Sequence, residues 1–168
     1  MNKLVLGIDP GATGASVLLK NGKVQDVFRF KGASICDYLN HFGAIFTCMG
    51  LQGADMYCYL EKVWGIPGNS SHFAFGENYG IIQTALTANR IAFKTVLPKV
   101  WQKKYDPELQ NIYKNYQEYN EGKISAAEKK KIRKRFYRDQ AFKLYPEERI
   151  LADTADAYLI AKYGEEND

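Results

Sequence analysis

Histidine is nearly missing from this chain: only His41 and His72 occur, at no spacing a metal would use. The three cysteines, Cys36, Cys48 and Cys58, form no CxxC pair and are odd in number. Zinc chemistry and a disulfide framework are thereby disfavoured, and reduced thiols in an intracellular compartment are expected. No apolar run approaches the roughly 20 residues that a membrane span needs. The opening Met1-Asn2-Lys3-Leu4-Val5-Leu6-Gly7 has no long apolar stretch and no small-residue cleavage site, so it reads as a first strand rather than a signal peptide. A cytoplasmic protein without a membrane partner is the expectation.

What is present is ordinary in bulk and uneven in placement. With 168 residues, 46% hydrophobic and 25% charged, the chain can bury a core of its own as one domain, residues 1–168. The net charge is only +4. Yet Lys99 to Lys143 holds thirteen lysines and arginines against six acids, while the remainder is net acidic. A basic segment beside an acidic body suits a protein that grips phosphates with one region and cations with another. A lysine-rich solvated helix is the plainer alternative.

Residues 4 to 9 are apolar without alternation, as in a strand buried on both faces. Asp9-Pro10-Gly11-Ala12-Thr13-Gly14 is a turn, Ala15 to Lys20 a strand, Asn21-Gly22 a hairpin signal, and Val24 to Phe30 the returning strand. Ser34 can cap a helix with Ile35, Tyr38, Leu39, Phe42, Ile45 and Phe46 at helical spacing. A short strand over Met56 to Glu61, a loop over Trp64 to Ser71, a helix to about Asn89 and a strand over Ile91 to Val96 follow. Pro98 can open another helix. Tyr105 to Lys123 is tyrosine-rich and polar with poor periodicity, and is taken as an excursion. Ser125 and Glu128 make a capping box for a basic helix that runs to about Tyr145. The last helix is expected over Asp153 to Tyr163. The order β-β-β-α-β-α-β-α-α predicts an α/β fold: a central sheet, opening as an antiparallel meander, with helices on both faces.

Acids stand where acids are costly. Asp9 ends an apolar strand, Glu61 ends Met56-Tyr57-Cys58-Tyr59-Leu60, and Asp153 and Asp156 interrupt an apolar run from Leu151 to Ile160. At i, i+3 the last two would share a helix face. Ionised carboxylates in such settings pair or bind a metal. Strand ends and a helix start can bring all four together. Without imidazole or thiolate partners, that set favours Mg²⁺ or Mn²⁺, and two such ions are a common device for phosphodiester cleavage. Plainer roles exist: Asp9 in an Asx turn, Asp153 and Asp156 as helix N-terminal acids, and Glu61 in an ion pair.

Leu6-Gly7-Ile8-Asp9-Pro10-Gly11 with Thr13-Gly14 resembles the opening strand and turn of RuvC-type Holliday junction resolvases. Leu60-Glu61-Lys62-Val63 resembles that family's second acidic strand, and Ala152-Asp153-Thr154-Ala155-Asp156-Ala157-Tyr158 its last helix. Val96 to Lys103 is similar to a segment of phage-borne and related bacterial members. The resemblance spans the chain apart from residues 105–123. It implies an RNase H-like fold with a mixed five-stranded sheet, from which the tyrosine-rich and basic insertion around residues 105–135 is a departure. It also implies a homodimer and paired nicking of strands at a four-way junction. It carries catalytic metal-ligand roles onto Asp9, Glu61, Asp153 and Asp156, holding two Mg²⁺ ions for which Mn²⁺ could substitute. Trp64 takes the place of a junction-facing aromatic; a loop anchor is its plainer role. A catalytic-side lysine is also expected, without a choice among the candidates.

Lys99, Lys103, Lys104, Lys130, Lys131, Arg133, Lys134 and Arg135 would position DNA phosphates without reading bases. No small-molecule cofactor is expected. Three competing readings remain. One is an RNA–DNA hybrid nuclease of the same fold. Another is a noncatalytic binder of branched DNA. The third is an actin-like ATPase, which resembles this chain at Gly7 to Gly11 but needs a second domain for which 168 residues leave no room.

Overall fold

The computed structural model describes residues 3–62, 71–119 and 122–168. Among the described residues five strands form one sheet: β1 (Lys3–Asp9), β2 (Ala15–Lys20), β3 (Lys23–Arg29), β4 (Asp55–Glu61) and β5 (Lys94–Val96). The order is β3-β2-β1-β4-β5. β1, β2 and β3 are antiparallel neighbours, whereas β1–β4 and β4–β5 are parallel. The mixed five-stranded sheet and its opening meander are therefore as expected. Asn21 and Gly22 both take positive φ, +49° and +78°, as a type I′ hairpin turn demands.

The helices among the described residues are, in chain order, α1 (Ile35–Gln52), α2 (Ser71–Ala88), α3 (Pro98–Gln102), α4 (Asp106–Tyr119), α5 (Ala126–Leu144) and α6 (Ala155–Asn167). Ser34 Oγ accepts the Asp37 N–H at the start of α1. The Ser125–Glu128 capping box closes on both sides at α5. Among the described residues, no helix is long and apolar enough to cross a membrane.

The sheet's two-residue period sorts its side chains onto two faces. Leu4, Leu6, Ile8, Cys58 and Leu60 pack with Tyr38, Phe42 and Ile45 of α1 and Ile82 and Leu86 of α2. Val5, Val17, Leu19, Tyr59 and Val96 pack beneath Tyr158 and Leu159 of α6, Phe136 and Tyr137 of α5, and Trp101. Asp9 follows Val5 and Gly7 in the alternation, and Glu61 follows Tyr59. Both acids therefore belong to the face that α6 covers.

Three sequence expectations change. The Tyr105–Lys123 excursion contains a 14-residue helix, α4. Leu109, Ile112, Tyr113 and Tyr116 recur at i, i+3, i+4 and i+7, an amphipathic helical stripe in a polar segment; Leu109 is buried, with Ile112 and Tyr113 packed against the α5–α6 core. The strand expected from Ile91 shrinks to Lys94–Val96. Arg90 takes φ +58° and Ile91 N–H returns to Leu86 O at 2.9 Å, which makes both part of the α2 C-cap. The last helix begins at Ala155, not Asp153. Thr154 closes a turn onto Leu151 through its hydroxyl, so Asp153 precedes the helix and the two acids do not share a helix face.

α6 lies on β1 almost backbone to backbone. A methyl group at Gly7 would overlap the Ala161 backbone and come within 2.6 Å of Ala157 O. At Gly164 it would overlap the Tyr59 ring and approach Val5 Cγ1 to 2.8 Å. Gly7→Ala should therefore cost about 3 kcal/mol, the upper end for overpacking, because backbone cannot swing away as a side chain can. Gly80→Ala, in α2 with open space around it, should instead stabilise by about 0.5–1 kcal/mol. Urea denaturation of the two variants checks both signs.

Candidate active site

Asp9 and Glu61 terminate adjacent parallel strands, whose register runs to Ile8 opposite Leu60. The carboxyl ends of parallel strands are where open α/β sheets gather their chemistry. Asp156 enters from the first turn of α6, the helix that Gly7 allows down onto β1. The three acids feel one another. Burial raises the Asp9 carboxyl, with repulsion from Asp153 adding to it and the Gly11 N–H and Lys134 opposing. Burial, then repulsion from Asp9, pushes Glu61 up to about 8; Asp156 adds to this, while the Trp101 hydrogen bond and Arg133 oppose it. Burial and then Asp9 push Asp156 up to about 7, against Arg133 and Lys134. Asp9 is thus the hub of a mutually repelling set.

Asp9, Glu61 and Asp153 each have a hydrogen-bond partner. Asp9 Oδ1 accepts the Gly11 N–H at 3.0 Å, so the Asx turn that was its plainer role is formed as well. The turn is braced from α2, where Asn78 donates to Pro10 O at 2.8 Å and Gly11 O at 3.3 Å. Glu61 Oε1 accepts the Trp101 Nε1–H at 2.8 Å. Asp153 lies farther out, with Oδ2 held by Arg29 at 3.0 Å. Its Oδ1 is buried without a hydrogen-bond partner. Arg29, Asn78 and Trp101 carried no sequence signal as site residues, because each partner is at least 40 positions away.

A divalent cation fits the donor set. The acids supply only oxygen, they repel one another, and one buried Asp153 oxygen lacks a partner. Among the described residues, however, no three acidic, His or Cys side chains are already drawn together at metal-holding distance.

The basic candidates separate by position. Arg133 and Lys134 of α5 act electrostatically on the acids. Lys129, Lys130 and Arg133 line a groove between α4 and α5 with Tyr113 and Tyr137. Lys131 is exposed on the same helix. Arg135 is held by Asp139 at 3.8 Å. Lys104 is held by Glu166 at 2.7 Å, ten residues along α6 from Asp156, or about 15 Å at the helical rise. Lys103 borders the same distal pocket. Lys99 is exposed on α3. Trp64 lies outside the described residues. Phe73, in the first turn of α2, is 81% exposed, an aromatic that sequence reading passed over.

A second polar line is present elsewhere. Ser16 Oγ meets His41 Nε2 at 3.1 Å, and His41 Nδ1 lies 3.6 Å from Asp26. Ser16 is only 1% exposed, so this line satisfies a buried hydroxyl and offers no nucleophile to a substrate.

Comparison with solved structures identifies the fold class: the chain has a RuvC-like fold of the RNase H-like type. It is similar to "T. thermophilus RuvC in complex with Holliday junction substrate", with a TM-score of 0.51 and 14% identity over 95% of this chain and 90% of that chain. It also aligns with "Thermus thermophilus RuvC structure", with a TM-score of 0.47 and 14% identity over 94% and 90%. No protein-family model and no curated protein matches the chain.

The raised acids set a pH dependence for the metal-free protein. Their folded pKa values lie above the unfolded ones, so the native state holds more protons in between. Their contribution to stability is full below about pH 4 and is lost as pH climbs through about 7 to 8. Asp9→Asn removes the hub of the repulsion. In EDTA at pH 8.5 it should raise Tm, by about 2–4 °C for each kcal/mol relieved, and flatten the decline of Tm between pH 5 and 8.5. A Tm series against pH for both proteins checks this.

Proposed function

We propose that this protein is a divalent-metal-dependent, structure-selective DNA endonuclease that nicks branched DNA, with the four-way Holliday junction as its substrate. The observation that carries the reading is the convergence of Asp9, Glu61 and Asp156 at the strand ends, directly beside the basic helix α5. The RuvC-like fold supports it, since the similar T. thermophilus protein is described in complex with a Holliday junction substrate. Recombination, repair or phage DNA processing is the setting, in the cytoplasm, with the chain acting as one nuclease domain. A homodimer would address opposing strands of a junction.

In this reading Asp9, Glu61 and Asp156, with Asp153, hold two Mg²⁺ ions, or Mn²⁺ in their place. When bound, the ions supply an activated water nucleophile and charge stabilisation for the departing oxygen. Asp9 would be the central ligand of the set, because it is the acid with which the others interact electrostatically. Arg29 positions Asp153 by holding Oδ2 and leaving Oδ1 to a cation. Lys134, acting on Asp9 and Asp156, is the lysine placed beside the reacting phosphate. Arg133 spans from the acids to the α4–α5 groove and guides the strand. Lys129, Lys130 and Lys131 make no ion pair among the described residues, unlike Arg135, Arg138 and Lys143. The first half of α5 is therefore the half free for phosphate. Phe73 offers a face on which an unpaired base can stack.

The test is a panel: immobile four-way junction, linear duplex, Y-fork and RNA–DNA hybrid, each with Mg²⁺ and with EDTA. Mg²⁺-dependent symmetric nicks in the junction are expected. Cutting confined to the hybrid would replace the resolvase reading, and tight junction binding without cutting in any metal would make the protein a binding module. Asp9→Asn and Asp156→Asn should each lose about 10³-fold or more in cleavage, since a ligand of the charge-stabilising ions is worth several kcal/mol. Both should still bind the junction.

Salt dependence checks the cation assignment. The double variant Lys129→Ala/Lys130→Ala should reduce the slope of log K against log salt by nearly 2, at about 0.9 per phosphate contact. Arg135→Ala should leave the slope close to wild type.

A further inference from the structure

Among the described residues Trp101 is the largest fully buried side chain, 1% exposed. A buried indole N–H needs an acceptor, and here the acceptor is a carboxylate at the candidate site, Glu61 Oε1 at 2.8 Å. The backbone imposes the meeting. Lys62 N–H donates to Val96 O at 2.7 Å, which pins the end of β4 to the end of β5. Pro98 opens α3 two residues later, and the single turn that follows brings Trp101 under Glu61. The indole is wedged from the other side. Tyr137 of α5 lies 5.3 Å from it, centroid to centroid, with Tyr105 and Phe136 packed in turn on Tyr137.

We infer that Trp101 is a positioning residue, whose Nε1–H fixes the Glu61 carboxylate through Oε1 and presents its second oxygen to a divalent cation. This rests on the reading of Glu61 as a cation ligand. The chemistry is that of an outer hydrogen bond to a metal-binding carboxylate. Such a bond removes the freedom of the ligand to turn away and typically matters 10–100-fold in metal affinity. An indole suits the role because it can donate but cannot accept, so it never competes with the ligand for the cation. The same residue anchors α3 and the aromatic cluster, so a loss of packing must be separated from a loss of orientation.

Mn²⁺ binding to the DNA-free protein provides the separation, measured from free Mn²⁺ by electron paramagnetic resonance. Trp101→Phe keeps an aromatic ring and deletes the donor. Phe136→Leu disturbs the same cluster from a buried position outside the α4–α5 groove and leaves the indole–carboxylate bond in place. The expected result is a 10–100-fold weaker Mn²⁺ affinity for Trp101→Phe, near wild-type affinity for Phe136→Leu, and junction binding in EDTA unchanged in both. Equal losses of Mn²⁺ affinity in the two variants would reduce Trp101 to a packing residue. So would wild-type affinity in Trp101→Phe. Wild-type protein that binds no Mn²⁺ at all would overturn the cation reading of Glu61 together with this inference.

Should Trp101→Phe not fold, the wild-type protein decides. The chain has two tryptophans, hence two indole N–H resonances in a ¹⁵N spectrum. The one lost or displaced in Glu61→Gln belongs to Trp101. Its movement on adding Mg²⁺ supports the inference; its indifference to Mg²⁺ overturns it.

Discussion

The packing of α6 onto β1 at Gly7 is the constraint on which the rest depends. With no side chain at that position, helix and strand approach until their backbones nearly touch. The approach lowers the N-terminal turn of α6 to the carboxyl end of β1, and with it Asp156 toward Asp9. A larger residue would lift the helix and separate the two acids. The glycine is therefore both a packing element and the reason the site exists. Gly164, one face-repeat further along α6, keeps the other end of the helix equally close to Val5 and Tyr59.

That closeness has an electrostatic cost. Asp9, Glu61 and Asp156 are partly stripped of water and repel one another, which raises all three above the usual carboxylate range. A fold selected for stability alone would not place them so; functional sites are where such local conflict is retained. The surrounding structure offsets part of it. Gly11 donates to Asp9, Trp101 donates to Glu61, and Arg133 and Lys134 bring positive charge from α5. The acids and the basic helix are in this sense one electrostatic unit, built from segments spread between Asp9 and Asp156.

The helix pair α4–α5 gives that unit an outer wall. Tyr113 donates its hydroxyl to Lys129 O at 3.1 Å, with the Lys129 ammonium 5.8 Å from its ring. The contact ties the tyrosine-rich segment to the basic helix. Charge is distributed unequally along α5. Its C-terminal half is neutralised by Asp139 and Glu108, while the half nearer the acids keeps its cations unpaired among the described residues. A polyanion drawn to the unpaired half would be led toward Asp9 rather than along the far surface.

The succession of strands along the chain with its opening meander, the Asn21–Gly22 hairpin, the Ser34 and Ser125 caps, and Asp9, Glu61 and Asp156 as acids out of place were all legible from the chain. Each depends on a local rule: two-residue or 3.6-residue periodicity, a turn that needs positive φ, or a charge in an apolar run. The α4 helix was passed over although Leu109, Ile112, Tyr113 and Tyr116 recur at helical spacing, because the stripe is set in an otherwise polar segment. The C-cap at Arg90 and Ile91 was hidden for a different reason: nothing in Arg-Ile announces a left-handed residue. The partners of the acids were beyond reach altogether. Trp101 lies 40 residues from Glu61 and Arg29 lies 124 from Asp153, and which of several lysines faces Asp9 depends on how α5 is rolled against α6. Periodicity and propensity act over a few residues and are written in the chain. Hydrogen bonds and charge pairs across the sheet depend on where whole elements come to rest, and only the packed structure decides that.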